Sequence, residues 1–331
     1  MNGSRRIVSD AARESRHSRM RVSDEPTPAR PPVAADPRAV LLIKSAGVAS
    51  VTVALTLIGL KLWAWIATDS VSLLSSLADS LLDLIASSIT WFAVRVAYEP
   101  ADREHRFGHG KSEAIAGLVQ AVIVTGSALY VGFTALVRLM APAEIAEPAT
   151  GVAVMTASLL LTLALVVFQH YVVRRTGSVA IGADAVHYRA DLLTALAVLA
   201  AIFLNTRLGW YAADPLLGLV IVVLILASVR TITLKAIDIL LDRELPDEVR
   251  EAIREIAAAH PAVRGVHDIR TRSSGTAQFV QLHLELDGEL ALSAAHRICD
   301  EVEGSVRQRF PTAEVIIHAD PYGIVEARDP F

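Results

Sequence analysis

Between residues 40 and 240 the sequence holds six long apolar runs, at about 40–66, 71–97, 113–140, 150–173, 178–204 and 212–240. Each is long enough to cross ~30 Å of hydrocarbon as a helix. Lipid offers no partner to a backbone N–H or C=O, so a chain crosses it only as helices or as a closed barrel. Runs of this length, without period-two alternation, select helices, and with 53% hydrophobic residues the whole chain reads as a multi-span membrane protein. The links between runs set the orientation. Arg95, Arg103, Arg106 and Lys111 follow the second run and Arg174 and Arg175 the fourth, whereas the first, third and fifth links carry only Arg138 and Arg207. With an Arg-rich N-terminus, this places both termini in the cytoplasm of a multi-pass inner-membrane protein.

Inside two of these runs sit groups that lipid does not tolerate without reason. Asp79 and Asp83 are four residues apart in LADSLLDLIAS, and His187 and Asp191 repeat the spacing in HYRAD. At i, i+4 each pair lies on one helix face. Intramembrane carboxylates are costly and usually face an ion path or a polar interior. Two such pairs supply the four N/O ligands of a tetrahedral Zn2+ site. As mere hydrogen-bonding glue the set is poor, because three carboxylates repel one another without a cation. Asp184, three residues before His187, is left open between a further ligand and a residue lining the entrance to the site.

The rest of the chain divides around the spans. Residues 1–38, rich in Arg, Ser, Pro and Ala, read as a disordered basic tail without the apolar core of a signal segment. Residues 39–241 form the six-span domain, and 323–331 a short tail. Residues 242–322 change character. LDRELPDEVREAIREIAAAHP is an amphipathic helix between Pro246 and Pro261, two strands flank a Ser-Ser-Gly turn, and a second helix and a third strand follow. The expected fold is therefore a membrane all-α six-helix domain plus a cytoplasmic α+β domain in α-β-β-α-β order.

Other candidate ligands cluster outside the spans. Asp102, His105 and His109 share the loop after the second run, where spacing alone leaves a site and a merely solvated loop both open. His267, His283, His296, His318 and Asp320 fall in the small domain and suggest a second metal cluster, against the alternative of surface histidines. His170 and His260 are given no site role. The single cysteine, Cys299, excludes an internal disulfide and a Cys-based zinc knuckle. A net charge of -4 and the lack of a basic motif give no reason to expect nucleic acid.

At LADSLLDLIAS, HRFGHGKSEAIAGL, HYRAD, LLDRELPD, VHDIRTRSSG, FVQLHLE and VIIHADP the sequence resembles the cation diffusion facilitator family, and within it the bacterial zinc- and iron-efflux subgroup. The resemblance covers about residues 38–322. It implies a transport site at Asp79, Asp83, His187 and Asp191, a loop site at Asp102, His105 and His109, and a binuclear cytoplasmic site at His267, His283, His296, His318 and Asp320. It also implies a homodimer joined through the small domain's metals, and a Lys111–Asp242 interlock near the membrane surface. Ala319 stands where the resemblance leads one to expect a polar Gln.

The expected function is proton-coupled antiport exporting Zn2+, with Cd2+ and Fe2+ as further cargo, and Zn2+ also as a structural ion. The chain is expected not to be an enzyme; its partners are metal ions, protons, the lipid bilayer and a second copy of itself. Two rivals stand beside this. An intramembrane metalloenzyme needs an open coordination position and a general base, and no H-E-x-x-H motif lies in any span. A metal sensor that signals without transport is separated from an exporter by flux alone.

Overall fold

The computed structural model describes residues 36–68, 71–140, 149–210 and 212–323. The expected basic tail, but for residues 36–38, and nearly all of the short tail after 322 lie outside the described residues. Six long helices come first: α1 (Pro37–Thr68), α2 (Val71–Ala97), α3 (Ser112–Met140), α4 (Ala149–Thr176), α5 (Val179–Leu208) and α6 (Ala213–Leu240). They coincide with the six apolar runs to within a few residues. Five are long and apolar enough to cross a membrane, all but α5. At 30 residues α5 is long enough, but its first half carries Asp184, His187, Arg189 and Asp191.

The packing shows where those groups go. α5 touches all five of the other helices. Every residue from Ser178 to Tyr188 is buried, so this half-helix has no lipid-facing side. Its start is pinned by a neighbour: the Glu113 carboxylate at the head of α3 accepts hydrogen bonds from Ser178 Oγ (2.9 Å) and the Val179 N–H (3.2 Å). A carboxylate there complements the free N–H groups and the positive end of the helix dipole. The apolar groups around it (Val124, Ile221, Ile225 and Val229 with Val186) seat α5 against α3 and α6.

The small domain follows as α7 (Asp247–Ala258), β1 (Gly265–Ser274), β2 (Ala277–Leu286), α8 (Leu292–Arg309) and β3 (Ala313–Pro321), in the order expected. Its sheet runs β1-β2-β3, antiparallel at the first pair and parallel at the second. Val280, Leu282, Leu284 and Leu286 alternate onto one face and pack with Ile253 and Ala257 of α7 and Val302 and Val306 of α8. A strand's other face is then polar, and here it carries the histidines. One device makes this work on β1. The register slips between His267 and Arg270, and Asp268 takes φ 47° there. The extra residue is a β-bulge, which resets which face each side chain takes. His267 therefore stays on the polar face while Ile269 and Thr271 turn into the core.

Candidate metal centres

The first centre lies among the long helices. Asp83, on α2, and His187 and Asp191, on α5, bring one ligand atom each to within 4.8 Å of one another. His187 Nε2 is 2.8 Å from Asp83 Oδ1 and 3.8 Å from Asp191 Oδ2. His187 is buried, whereas the Asp191 side chain is 46% exposed, so the site has an open side. Asp79, one turn earlier on α2, does not join this trio.

Asp184 sits one turn along α5 from His187 and is wholly buried, in a cage of neutral donors. Gln169 Nε2 donates to its Oδ2 at 2.7 Å, and Ser87 Oγ and Gln120 Nε2 lie 3.3 and 3.5 Å from its Oδ1. Ser87 Oγ is also 2.9 Å from the Tyr188 hydroxyl, which donates to the Ser50 carbonyl. Five helices thus converge on Asp184. Sequence spacing left its place open, and nothing in the spacing could identify Ser50, Ser87, Gln120 and Gln169 as its partners, since they come from four other helices.

Lys61 on α1 is a second group that sequence reading missed. Its ammonium donates to the Ser80 hydroxyl (2.7 Å) and the Ser76 carbonyl (3.1 Å) of α2. A lysine in the middle of an apolar run is the signal that would have found it.

The second centre is on the loop between α2 and α3. The ligand atoms of Asp102, His105 and His109 again fall within 4.8 Å. Asp102 Oδ1 is 3.3 Å from His105 Nδ1, and its Oδ2 is 3.4 Å from His109 Nε2. The His105 and Glu104 N–H groups donate to Asp102 Oδ1, and chiefly the former holds this carboxyl below its ordinary range. His109 Nδ1 is buried without a hydrogen-bond partner.

The third centre is on the sheet's polar face. Strand register places His267 opposite His283 and His283 opposite His318, a rank of three imidazoles across three strands. Ring centroids are 5.2 and 4.8 Å apart, close to the spacing of neighbouring strands. Asp320, nearly buried, reaches all three: its Oδ2 is 2.9 Å from His283 Nδ1 and 3.1 Å from His267 Nε2, and its Oδ1 is 3.1 Å from His318 Nε2. Two acidic side chains not anticipated flank the rank. Asp268 Oδ2 lies 3.6 Å from His283 Nε2, and Glu285 Oε1 lies 3.3 Å from His267 Nδ1. Arg270 above all holds the Asp268 carboxyl below its ordinary value. His296 stands apart: it is on α8, 71% exposed, with Asp300 3.6 Å away.

Residues 47–241 match the family description "cation efflux transmembrane domain", and residues 245–322 match "cation efflux protein, cytoplasmic domain". The chain belongs to the cation efflux family. Among its relatives, the cation-efflux pump FieF of Cronobacter sakazakii is 45% identical over 284 residues, covering 86% of this chain and 94% of that protein. The cation-efflux pump FieF of Serratia proteamaculans is 43% identical over 290 residues, covering 88% of this chain and 96% of that protein. Among solved structures, the metal-bound C-terminal domain of CzcD transporter from Thermotoga maritima is 29% identical, with a TM-score of 0.23, and covers 24% of this chain and 93% of that one. As named, the relatives are pumps, so this cation efflux chain is a multi-pass transporter rather than an enzyme, in accord with the reading of its sequence.

Proposed function

We propose that this chain exports divalent transition-metal cations from the cytoplasm in exchange for protons, with Zn2+ the principal cargo and Cd2+ and Fe2+ also carried. The observation that supports this best is the trio Asp83, His187 and Asp191, gathered among the helices of a cation efflux protein. An imidazole with carboxylates is a borderline-to-hard donor set that suits Zn2+. Asp79 is the fourth proposed ligand, reached by a small turn or slide of α2.

The exchange follows from one atom. His187 Nε2 lies 2.8 Å from Asp83 Oδ1, so without metal a proton bridges the two, whichever of them carries it. The lone pairs that hold that proton would hold the cation. Proton and metal therefore compete for one position, and loading the ion displaces the proton. On the far side of the membrane the competition reverses, the ion leaves, and the protonated site returns.

We assign Asp102, His105 and His109 to a loop metal site, with the unpartnered His109 Nδ1 as the observation in its favour. We assign His267, His283, His318 and Asp320 to a metal centre of the small domain, where the ion would be held by imidazoles and a buried carboxylate. His296 would join that centre through a second chain, in a homodimer. The proposed domains are residues 1–38, 39–241, 242–322 and 323–331, in the inner membrane with both termini in the cytoplasm, as the charge of the links supports.

Flux of Zn2+ into vesicles holding the purified protein, driven by a pH gradient, tests the reading. Asp83→Ala and Asp191→Ala should each abolish flux with folding and oligomeric state unchanged. Near-normal flux by either variant refutes the site. Metal binding without any flux in the wild type would make the chain a sensor instead.

A further inference from the structure

Lys61 is a charged group among the spans that takes no part in the proposed exchange. It sits on α1, and its ammonium is held by two uncharged oxygens of α2, Ser80 Oγ and Ser76 O. Ser76, Ser80 and Asp83 follow at i, i+4 and i+7 of α2, along one face of that helix, with Asp79 beside Ser80. Ser80 is wholly buried, so the ammonium is drawn into the bundle and away from lipid. Asp79 adjoins Ser80 in the chain and Asp83 lies about one turn beyond Ser80 on the same face of α2, so the ammonium is held beside the proposed transport site.

Charge inside a membrane protein is costly unless it is balanced nearby. Three ionised carboxylates with one divalent cation leave a single negative charge. One ammonium cancels it. This count is of the proposed ligands and Lys61 alone; Asp184 is a further acid outside the ligand set, bonded to Gln169, Ser87 and Gln120.

We infer that Lys61 is a built-in counter-cation, a positioning residue that brings the four proposed ligands to zero net charge when a divalent ion fills them. It is not a ligand. The two α2 oxygens hold the ammonium beside the site, so that it offsets carboxylate charge without displacing the metal. A monovalent ion in the same site leaves a negative charge and a trivalent one a positive charge, so Lys61 sets which cation valence travels through lipid at least cost. It also moderates affinity. A positive charge near the site weakens the hold on a cation, which a transporter needs in order to release its cargo.

This inference rests on the transport-site reading above, and the experiment separates the two. Zn2+ uptake is measured in vesicles holding wild type, Lys61→Met, Lys61→Arg and Asp83→Ala. Lys61→Met should lower KM about tenfold, because a repelling charge has gone, and should lower the maximal rate by a similar factor, because the loaded site then carries a net charge. Lys61→Arg keeps the charge and should restore both values towards wild type. Damage to packing alone lowers the rate without tightening KM and is not repaired by Arg. Should Lys61→Met fail to fold, Lys61→Gln, uncharged but still able to donate to Ser80, is read in its place. The inference is overturned if the uncharged variant keeps wild-type KM and rate, or if Lys61→Arg behaves like Lys61→Met. Absence of wild-type uptake, or full uptake by Asp83→Ala, refutes the transport-site reading instead.

Discussion

In the proposed transport site, His187 is the residue on which metal choice should turn. It is the one nitrogen donor of the intramembrane trio, and it is buried against Asp83. Imidazole favours Zn2+ over harder ions, whereas Mn2+ prefers an all-oxygen shell. His187→Asp should therefore move preference from Zn2+ towards Mn2+, seen as a changed ratio of the two uptake rates in vesicles; an unchanged ratio counts against the assignment. The i, i+4 pairs made three of these residues legible from sequence, because helix geometry alone puts such residues on one face. Asp184 was not legible in the same way. A second acid in the same run stays open between a further ligand and a residue of the entrance until tertiary packing supplies Gln169, Ser87 and Gln120 from other helices. Lys61 was missed for the same reason: its meaning lies in α2, across a helix interface that periodicity does not specify.

At the scale of elements, period-two alternation sufficed to place β1 and β2 and the Ser-Ser-Gly turn, where Gly275 takes φ 62°. It could not show the bulge at Asp268. Unbroken alternation would put His267, Ile269 and Thr271 on one face, and so either bury the histidine or expose the core. The register that the bulge permits is what ranks His267, His283 and His318 beside Asp320. The apolar core beneath this rank is made from residues of the small domain alone, from Ile253 to Val315. That domain, residues 243–331, should consequently fold by itself and gain heat stability with Zn2+, because an ion bound only by the folded state stabilises it by mass action. His283→Ala together with His318→Ala should remove most of the gain, read by calorimetry with and without the metal. An unchanged melting temperature in the wild-type domain on adding Zn2+ would make these histidines ordinary surface groups.

In the whole molecule, the loop between α2 and α3 joins the helices to the small domain, and the loop cluster rides on it. Phe107 meets Phe279 edge-on at 5.7 Å, and the Arg272 guanidinium lies over both rings at 4.9 and 4.4 Å. Gly110 packs so closely on the Ser274 carbonyl that no Cβ fits between them. Lys111 Nζ is 3.0 Å from Asp242 Oδ1, which Arg272 also reaches at 3.3 Å. This is the interlock that the resemblance implied, and here it includes a second cation and an aromatic pair. Asp242 has φ 55°, an uncommon conformation for a residue with a side chain, just past the end of α6. Partial burial raises its carboxyl, but Lys111 and Arg272 outweigh that and leave it below its ordinary value. A carboxyl lowered in the folded state contributes stability that is fully present above its unfolded value of about 3.9 and is lost as the pH falls through the lower, folded one. Docking should then be indifferent to pH from about 8 to 5 and weaken only below about 4. Spin labels at the exposed Glu104 and Glu289 report it as a distance between loop and domain. That distance should stay sharp in the wild type across the neutral range and broaden in acid, whereas Asp242→Asn should broaden it already at pH 7. A sharp distance in the Asn variant at pH 7 would mean that the aromatic and glycine contacts hold the loop alone, and that Asp242 carries no share of the link between the small domain and the helices that hold the proposed transport site.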